Sequence, residues 1–293
     1  MLTEVAAMRL VADSSTPAGL RAFLTHALAR SFTLGEERDY YMYARVASEG
    51  DRAPTLEWHA TAPDLVGPDA MSRWGVPLKK LHFVDLELFH PTVQTYQPDL
   101  SALPSLQDVP RDAADPRWAK AGMVPFGVED ALARMTEALA RGDRVHAIEA
   151  AGELAHYAQD NTQPHHATVD FRSLSYFGGK GPDVHAAMES LGSELGLSPE
   201  RRAMVFDAFV AALDGPFPTV SDDAWRATVE VARESYRCLP TIGEEAVAST
   251  TDGVLDVERF YAGPVLTLKA HQLAWAVRRT ETVWISAWNG AHR

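Results

Sequence analysis

Two pairs of metal-ligand residue types lie four positions apart in the middle of the 293-residue sequence. His156 precedes Asp160, and His185 precedes Glu189. Side chains at positions i and i+4 of a helix project from the same face, one turn apart, so each pair could chelate a metal ion. Between the pairs, an Asn-Thr-Gln-Pro turn is followed by two adjacent histidines. Two chelating pairs and a loop histidine supply enough nitrogen and oxygen ligands for two zinc ions.

One such pair alone is weak evidence, because an acid four residues after a histidine is common on solvated helix faces. Two pairs that flank a Gln-Pro-x-His turn are much less expected by chance. Of the two adjacent histidines, His166 is the favoured ligand, and His165 is expected to point elsewhere in an extended loop.

The composition restricts both the metal chemistry and the class of partner. Cys238 is the only cysteine, so a metal must be held by histidines and carboxylates rather than by a Cys-x-x-Cys site. The 40 acidic residues against 27 basic ones give a net charge of −13, which repels phosphate backbones and argues against stable binding of duplex nucleic acid. A small phosphate ester held by metal ions is compatible with this charge.

The residue pattern around these positions predicts an all-α fold, with residues 1–293 forming a single multi-helix domain. Strand-like alternation is almost absent. Helices are predicted over 127–141, over 143–160 with Asp143 as N-cap, over 198–214 with Ser198 as N-cap and Pro199 at the first helical position, over 221–237 and over 266–288. Loops are predicted over 85–125 and 168–183, where prolines and glycines cluster.

The sequence shows no transmembrane segment, since no apolar run reaches the length of a membrane span. The first residues include Glu4 and Arg9 and do not look like a signal peptide. We therefore expect either a cytoplasmic protein or a secreted one whose leader is missing from this sequence.

Five motifs in order give the chain a family resemblance. The run from His156 to His166, H-Y-x-x-D-x-x-Q-P-x-H, resembles the signature of the superfamily that joins zinc-dependent phospholipase C to the fungal single-strand-specific nucleases. The other four similar segments are Ala62-Pro63-Asp64, Leu81 to Asp85, Val184 to Glu189, and the tail RRTETVWISAWNGA. The resemblance covers nearly the whole chain. It implies the all-α fold of that superfamily, two or three zinc ions and an exported, secreted or periplasmic, protein.

The resemblance also implies which residues hold the metals. The first ion would use Asp64, His82, His156 and Asp160, and the second would use His166, His185 and Glu189. Asp160 would bridge the first ion to a third.

The third site departs from the family pattern. The family holds this ion with the backbone of an N-terminal tryptophan and a nearby histidine, whereas this sequence starts at Met1. His26, 38 residues before Asp64, is the ligand suggested by spacing. Alternatively, LTEVAAMRLV resembles the helix that follows the missing segment, so that the true ligands are absent and His26 is an ordinary residue of an amphipathic helix.

The activity implied by the resemblance is hydrolysis of a phosphodiester by a zinc-activated water. Asp64 and Asp160 would orient that water as the catalytic residues, while Phe83 and Asp85 would either contact the substrate or pack beside His82. Phospholipase C activity on phospholipid head groups is favoured, because Gly67 stands where the nucleases have a transition-state arginine. A single-strand-specific nuclease or 3′-nucleotidase is the alternative.

Two readings outside this activity stay open. Glu87 with His90, and Glu153 with His156, are E-x-x-H motifs of the kind used by di-iron helical bundles, although Pro91 places His90 at a helix end. The chain could also be a non-catalytic, metal-binding helical member of the superfamily. Iron in place of zinc would favour the first reading, and zinc bound without turnover would favour the second.

Overall fold

The computed structural model describes residues 1–28, 55–67, 69–190 and 195–293, and this part of the chain is all-α, as predicted. Its α-helices are α1 (Leu2–Ala12), α2 (Ala18–Ala27), α3 (Leu56–Thr61), α4 (Trp118–Ala121), α5 (Val124–Ala140), α6 (Arg144–Asp160), α7 (Val184–Glu189), α8 (Pro199–Ala212), α9 (Ala224–Tyr236), α10 (Leu239–Ala248), α11 (Val257–Phe260) and α12 (Pro264–Ala291). Short 3-10 helices span Ala62–Leu65, Leu78–Leu81, Leu86–Phe89, Pro164–Ala167 and Leu174–Phe177. The strands β1 (Thr250–Thr251) and β2 (Val254–Leu255) form a small antiparallel hairpin.

Two predicted helix starts, those capped by Asp143 and Ser198, are confirmed. The other three helices begin at Val124, Ala224 and Pro264 instead of at 127, 221 and 266. The Asp143 carboxylate accepts a hydrogen bond from the backbone N–H of His146 and begins α6. Ser198 accepts from the N–H of Arg201, and Pro199 occupies the first turn of α8. Each cap satisfies an N–H group that has no partner within its own helix. The two predicted loops contain, besides turns, only short helical segments.

Helix α12 is the central packing element of the described chain. Its 28 residues span about 42 Å, and it packs against α1, α5, α6 and α8. Trp284 is fully buried, and its indole N–H donates to the carbonyl oxygen of Ala151 on α6 at 3.0 Å. This bond satisfies the polar edge of a large apolar side chain, so α12 and α6 are fixed relative to each other. None of the described helices is long and apolar enough to cross a membrane.

Helix α6 approaches α3 closely at Gly152. A Cβ atom placed there would lie 2.7 Å from the carbonyl carbon of His59 and 2.8 Å from the nitrogen of Ala60. Only a residue without a side chain allows this approach, which brings the end of α3 and the following 3-10 helix beside α6. The position of Asp64 in that 3-10 helix therefore depends on Gly152.

We expect Gly152→Ala to destabilise the protein by about 1–3 kcal/mol, the usual cost of overpacking, because the new methyl group must push α3 away from α6. Gly67→Ala is the matched control, since nothing lies within 4 Å of its Cβ position. Urea denaturation of both variants measures the difference. Equal stability of Gly152→Ala and the wild type would show that α3 is not held by this contact.

Candidate metal centre

A first cluster of ligand atoms joins Asp64, His82 and His156. The Asp64 Oδ1 atom lies 3.6 Å from His82 Nδ1 and 3.7 Å from His156 Nε2, and the two ring nitrogens are 2.9 Å apart. The three residues come from the 3-10 helix after α3, from the end of the 3-10 helix Leu78–Leu81, and from the last turns of α6. All three ligand atoms could therefore reach one ion.

A second cluster joins His166, His185 and Glu189. His185 Nε2 is 2.7 Å from Glu189 Oε2, as expected for residues one helical turn apart on α7, and His166 Nε2 is 3.8 Å from Glu189 Oε1. His166 lies in the 3-10 helix Pro164–Ala167, directly after the turn that ends α6. The backbone N–H of Val84 donates to the carbonyl oxygen of His166 at 2.8 Å, which ties this segment to the one that carries His82.

Asp160 connects the two clusters. Its Oδ2 atom is 3.0 Å from His82 Nδ1, 3.1 Å from His156 Nε2 and 3.9 Å from His166 Nδ1. The structure thus brings together all seven residues predicted as ligands of the first two ions, while their role as ligands remains a prediction. His26 is exposed on α2 and belongs to neither cluster, so the structure adds no support for it as a ligand.

The hydrogen bonds around the histidines fit a bound cation. His156 Nδ1 donates to the carbonyl oxygen of Ala60 at 2.8 Å, and this bond turns Nε2 toward His82 and Asp160. Metal-ligating histidines are oriented by such a bond from their second nitrogen. His166 Nδ1 is buried and has no hydrogen-bond partner in the described part of the chain. An unpartnered buried polar atom costs about 1–3 kcal/mol, and coordination to a metal ion would remove this cost.

The charges of the first cluster stabilise one another. Burial opposes ionisation of Asp160, but His156 and His166 outweigh it and hold the pKa of this carboxyl well below its usual range. Burial also opposes protonation of His156, yet Asp160 and then Asp64 raise its pKa to about 9. The Asp160 carboxylate is therefore ionised and is stabilised by positive charge on its histidine partners, a charge that a bound divalent cation would also supply.

Helix α7 is only six residues long, and residues outside it hold its end in place. The Tyr261 hydroxyl donates to the carbonyl oxygen of Ala187 at 2.5 Å, and Lys269 Nζ donates to the carbonyl oxygen of Ser190 at 2.8 Å. Lys269 lies on α12 and is only 2% exposed. Its cationic group at the C-terminal end of α7 also suits the helix dipole. Sequence reasoning assigned Lys269 no role, although a lysine inside a predicted buried helix was the available signal.

His165 belongs to neither cluster, and it lies in the 3-10 helix Pro164–Ala167 instead of in the predicted extended loop. Its Nε2 atom is 2.9 Å from the Ser173 hydroxyl, and its ring stacks on that of His185 with 5.6 Å between ring centroids. Ser173 adopts a left-handed backbone conformation, with φ of 55°. The His165 ring therefore packs against the face of the His185 ring and supports its orientation.

Phe83 and Asp85 lie next to the first cluster but outside it. The Phe83 ring lies under the ammonium group of Lys80 at 4.9 Å and packs against Gly122, where a Cβ atom would be 2.7 Å from the ring. Burial, together with repulsion from Glu87, raises the pKa of Asp85 to about 7. Both observations describe packing, and contact of these residues with a substrate remains a prediction.

The glutamates of the two E-x-x-H motifs have other partners. Glu87 is fully buried and accepts hydrogen bonds from the Thr168 hydroxyl at 2.5 Å and from the backbone N–H of Val169 at 3.1 Å. Glu153 forms an ion pair with Arg134 at 2.5 Å. Neither glutamate belongs to the clusters found among the described residues. The carboxylate frame of a di-iron bundle is thus not assembled around these motifs.

Comparison with known proteins gives one structural likeness. No protein-family model matches the chain, and no curated protein matches it either. The fold is similar to that of Clostridium perfringens alpha-toxin from avian strain SWCP, with a TM-score of 0.41 and 14% sequence identity. The alignment covers 96% of this chain and 62% of the toxin chain, so this chain spans less than two thirds of the toxin's length. Because this likeness is weak, the function of the chain is inferred from the side chains of the site.

We expect Asp85→Asn to stabilise the protein increasingly as the pH rises from 4 to 7. The folded wild type keeps the Asp85 proton up to a pKa of about 7, whereas the ordinary value is 3.8. Between these values the folded state binds more protons, so wild-type stability falls with rising pH, by roughly 2–4 kcal/mol in total, and asparagine removes this loss. Urea denaturation across this pH range, with the exposed Asp69→Asn as control, measures the effect. A stability difference that does not change with pH would contradict it.

We expect Lys269→Met to weaken zinc binding at the second cluster by about tenfold, because it removes the group that holds the end of α7 and thereby Glu189. Methionine fills nearly the same space, so the helix packing should persist. Competition with a chromophoric chelator measures the affinity, and the exposed Lys120→Met is the control. Wild-type affinity in Lys269→Met would show that α7 holds its position without this contact.

Proposed function

We propose that this chain is a zinc-dependent phosphodiester hydrolase that acts on phospholipid head groups, as a phospholipase C does. One observation carries the proposal. The Asp160 carboxylate faces His82, His156 and His166 and so joins the two ligand clusters. Zinc suits this donor set of histidines and carboxylates and, when bound, acidifies water and neutralises phosphoryl charge. We further propose that residues 1–293 form one hydrolase domain, since α12 packs against α1 as well as against α5 and α6.

The exposure of the ligands indicates where a substrate would enter. The side chains of Asp64 and Glu189 are 65% and 53% exposed, whereas that of His156 is 8% exposed. The centre therefore opens to solvent at its two outer carboxylates. Asp64 is placed to accept a hydrogen bond from an attacking water on the open side. Asp160 is held by its histidine partners and keeps those rings in position.

Three exposed apolar side chains lie next to outer ligands in sequence or in space, and they suit a lipid substrate. Leu65 and Val66 directly follow Asp64 and are 62% and 38% exposed. Phe171, which is 54% exposed, places its ring 6.2 Å from that of His185. Exposed apolar groups next to a polar centre are typical of contact with an apolar ligand or surface. They would meet the acyl part of a phospholipid while the phosphodiester reaches the clusters.

Two further features disfavour a nucleic acid as substrate. Among the described residues nothing lies within 4 Å of the Cβ position of Gly67, and glycine itself cannot supply the positive charge of the nuclease arginine. The net charge of −13 repels a polyanion, whereas a phosphatidylcholine head group carries no net charge. A secreted or periplasmic location remains a prediction of the family resemblance.

The test is turnover of the zinc-loaded protein on phosphatidylcholine vesicles and on single-stranded DNA. We expect the wild type to release phosphocholine and diglyceride. Asp160→Asn should lose about 100-fold or more of this activity, because it removes the carboxylate that joins both clusters. Asp143→Asn is the matched control, because it lies at the opposite end of α6 and asparagine caps a helix equally well.

The other outcomes would each replace the proposal. Cleavage of DNA alone would identify a single-strand-specific nuclease. Two bound zinc ions per chain, counted by inductively coupled plasma mass spectrometry, without turnover of either substrate would identify a non-catalytic metal-binding protein. A protein that takes up no zinc, or in which Asp160→Asn retains full activity, would refute the metal centre itself.

A further inference from the structure

A second cavity lies away from the metal centre, between α5, α9, α12 and the segment that joins α8 to α9. Its volume is about 500 Å³, which is in the range of small-molecule sites. Its lining shares no residue with the two ligand clusters. Part of the wall is apolar and is formed by Leu132, Phe217, Trp275 and Val283.

Arg279 contributes a charge to this cavity and is only 7% exposed. Within the described ranges its guanidinium group has no hydrogen bond and no ion pair. The neighbouring Arg278, which lines the same cavity, is bound instead by Glu281 at 2.6 Å. On α12, therefore, Arg278 has an ion-pair partner, whereas Arg279 has none in the described part of the chain.

The acid that acts on Arg279, Glu230, does not neutralise it by contact. Glu230 acts on it through space, but the Glu230 carboxylate accepts hydrogen bonds from the backbone N–H of Ser221 at 2.7 Å and from Arg226 at 3.0 Å. Burial lowers the pKa of Arg279 to about 10, so the group stays charged at neutral pH. A buried charge without a partner is strongly unfavourable, and an anion in the cavity would relieve it.

We propose that this cavity binds a small organic monoanion, in which a carboxylate pairs with Arg279 and an apolar body packs against Trp275 and Val283. A guanidinium group binds a carboxylate through two parallel hydrogen bonds, which suits a single buried arginine. Asp214 and Asp222 also line the cavity and repel an anion in proportion to its charge, so they disfavour a dianion more than a monoanion. The site is separate from the proposed hydrolase chemistry and does not depend on it.

The probe is 4-fluorobenzoate, whose binding to the zinc-loaded protein is followed by fluorine NMR. We expect one saturable site, with binding about tenfold weaker in Arg279→Met because the charge-assisted pair is lost. Arg278→Met should bind as the wild type does, since Glu281 already holds that arginine. Inorganic phosphate and 4-fluorobenzyl alcohol, which lack either the apolar body or the charge, should compete poorly.

Two further variants keep the test decisive. Asp160→Asn should retain binding, which excludes the metal centre as the place where the carboxylate binds. Ser286→Trp, at an exposed position of the lining, should block the cavity while Arg279 is kept.

Without ligand, Arg279→Met should melt at or above the wild-type temperature, because no protein partner of the arginine is lost. Absence of binding to the wild type, equal binding to Arg279→Met, or loss of binding in Asp160→Asn would each overturn the proposal.

Discussion

The two candidate ligand clusters are joined by one carboxylate at the end of a long helix. Asp160 is the last residue of α6, and its Oδ2 atom faces nitrogens from His82, His156 and His166. His156 lies on the same helix, whereas His82 and His166 lie outside it, so the carboxylate joins α6 to two other segments of the chain. Its charge is maintained by the same histidines, since His156 and His166 favour ionisation against the effect of burial. Carboxylate and imidazoles are therefore mutually dependent.

The helices around this carboxylate serve to place it. The indole of Trp284 binds the backbone of α6 from α12, and the absence of a side chain at Gly152 lets α3 approach from the other side. The second cluster is held in a different way, since Lys269 and Tyr261 donate hydrogen bonds to carbonyl oxygens at the C-terminal end of the short helix α7. One half of the centre is thus positioned by close helix packing, and the other half by side chains that bind a helix terminus.

Much of this arrangement follows from local sequence, and the rest depends on tertiary contacts. The pairs His156–Asp160 and His185–Glu189 were predictable because helical spacing alone puts each pair on one face. Asp64 and His82 were predicted only through the family resemblance, since neither stands at a spacing that points to the other. Lys269 and Arg279 were not predicted as functional, because both lie in a helix whose pattern indicates only burial.

The contact between His156 and Ala60 has an evolutionary consequence. The atom that orients the imidazole is a backbone carbonyl oxygen, which every amino acid carries. The side chain at position 60 can therefore vary without loss of the hydrogen bond, provided that the new residue fits the space. Substitutions that displace α3 as a whole would break it. The orientation of His156 is thus decided by packing residues that do not touch its ring. Sequence variation at position 60 itself would give little sign that the contact is important.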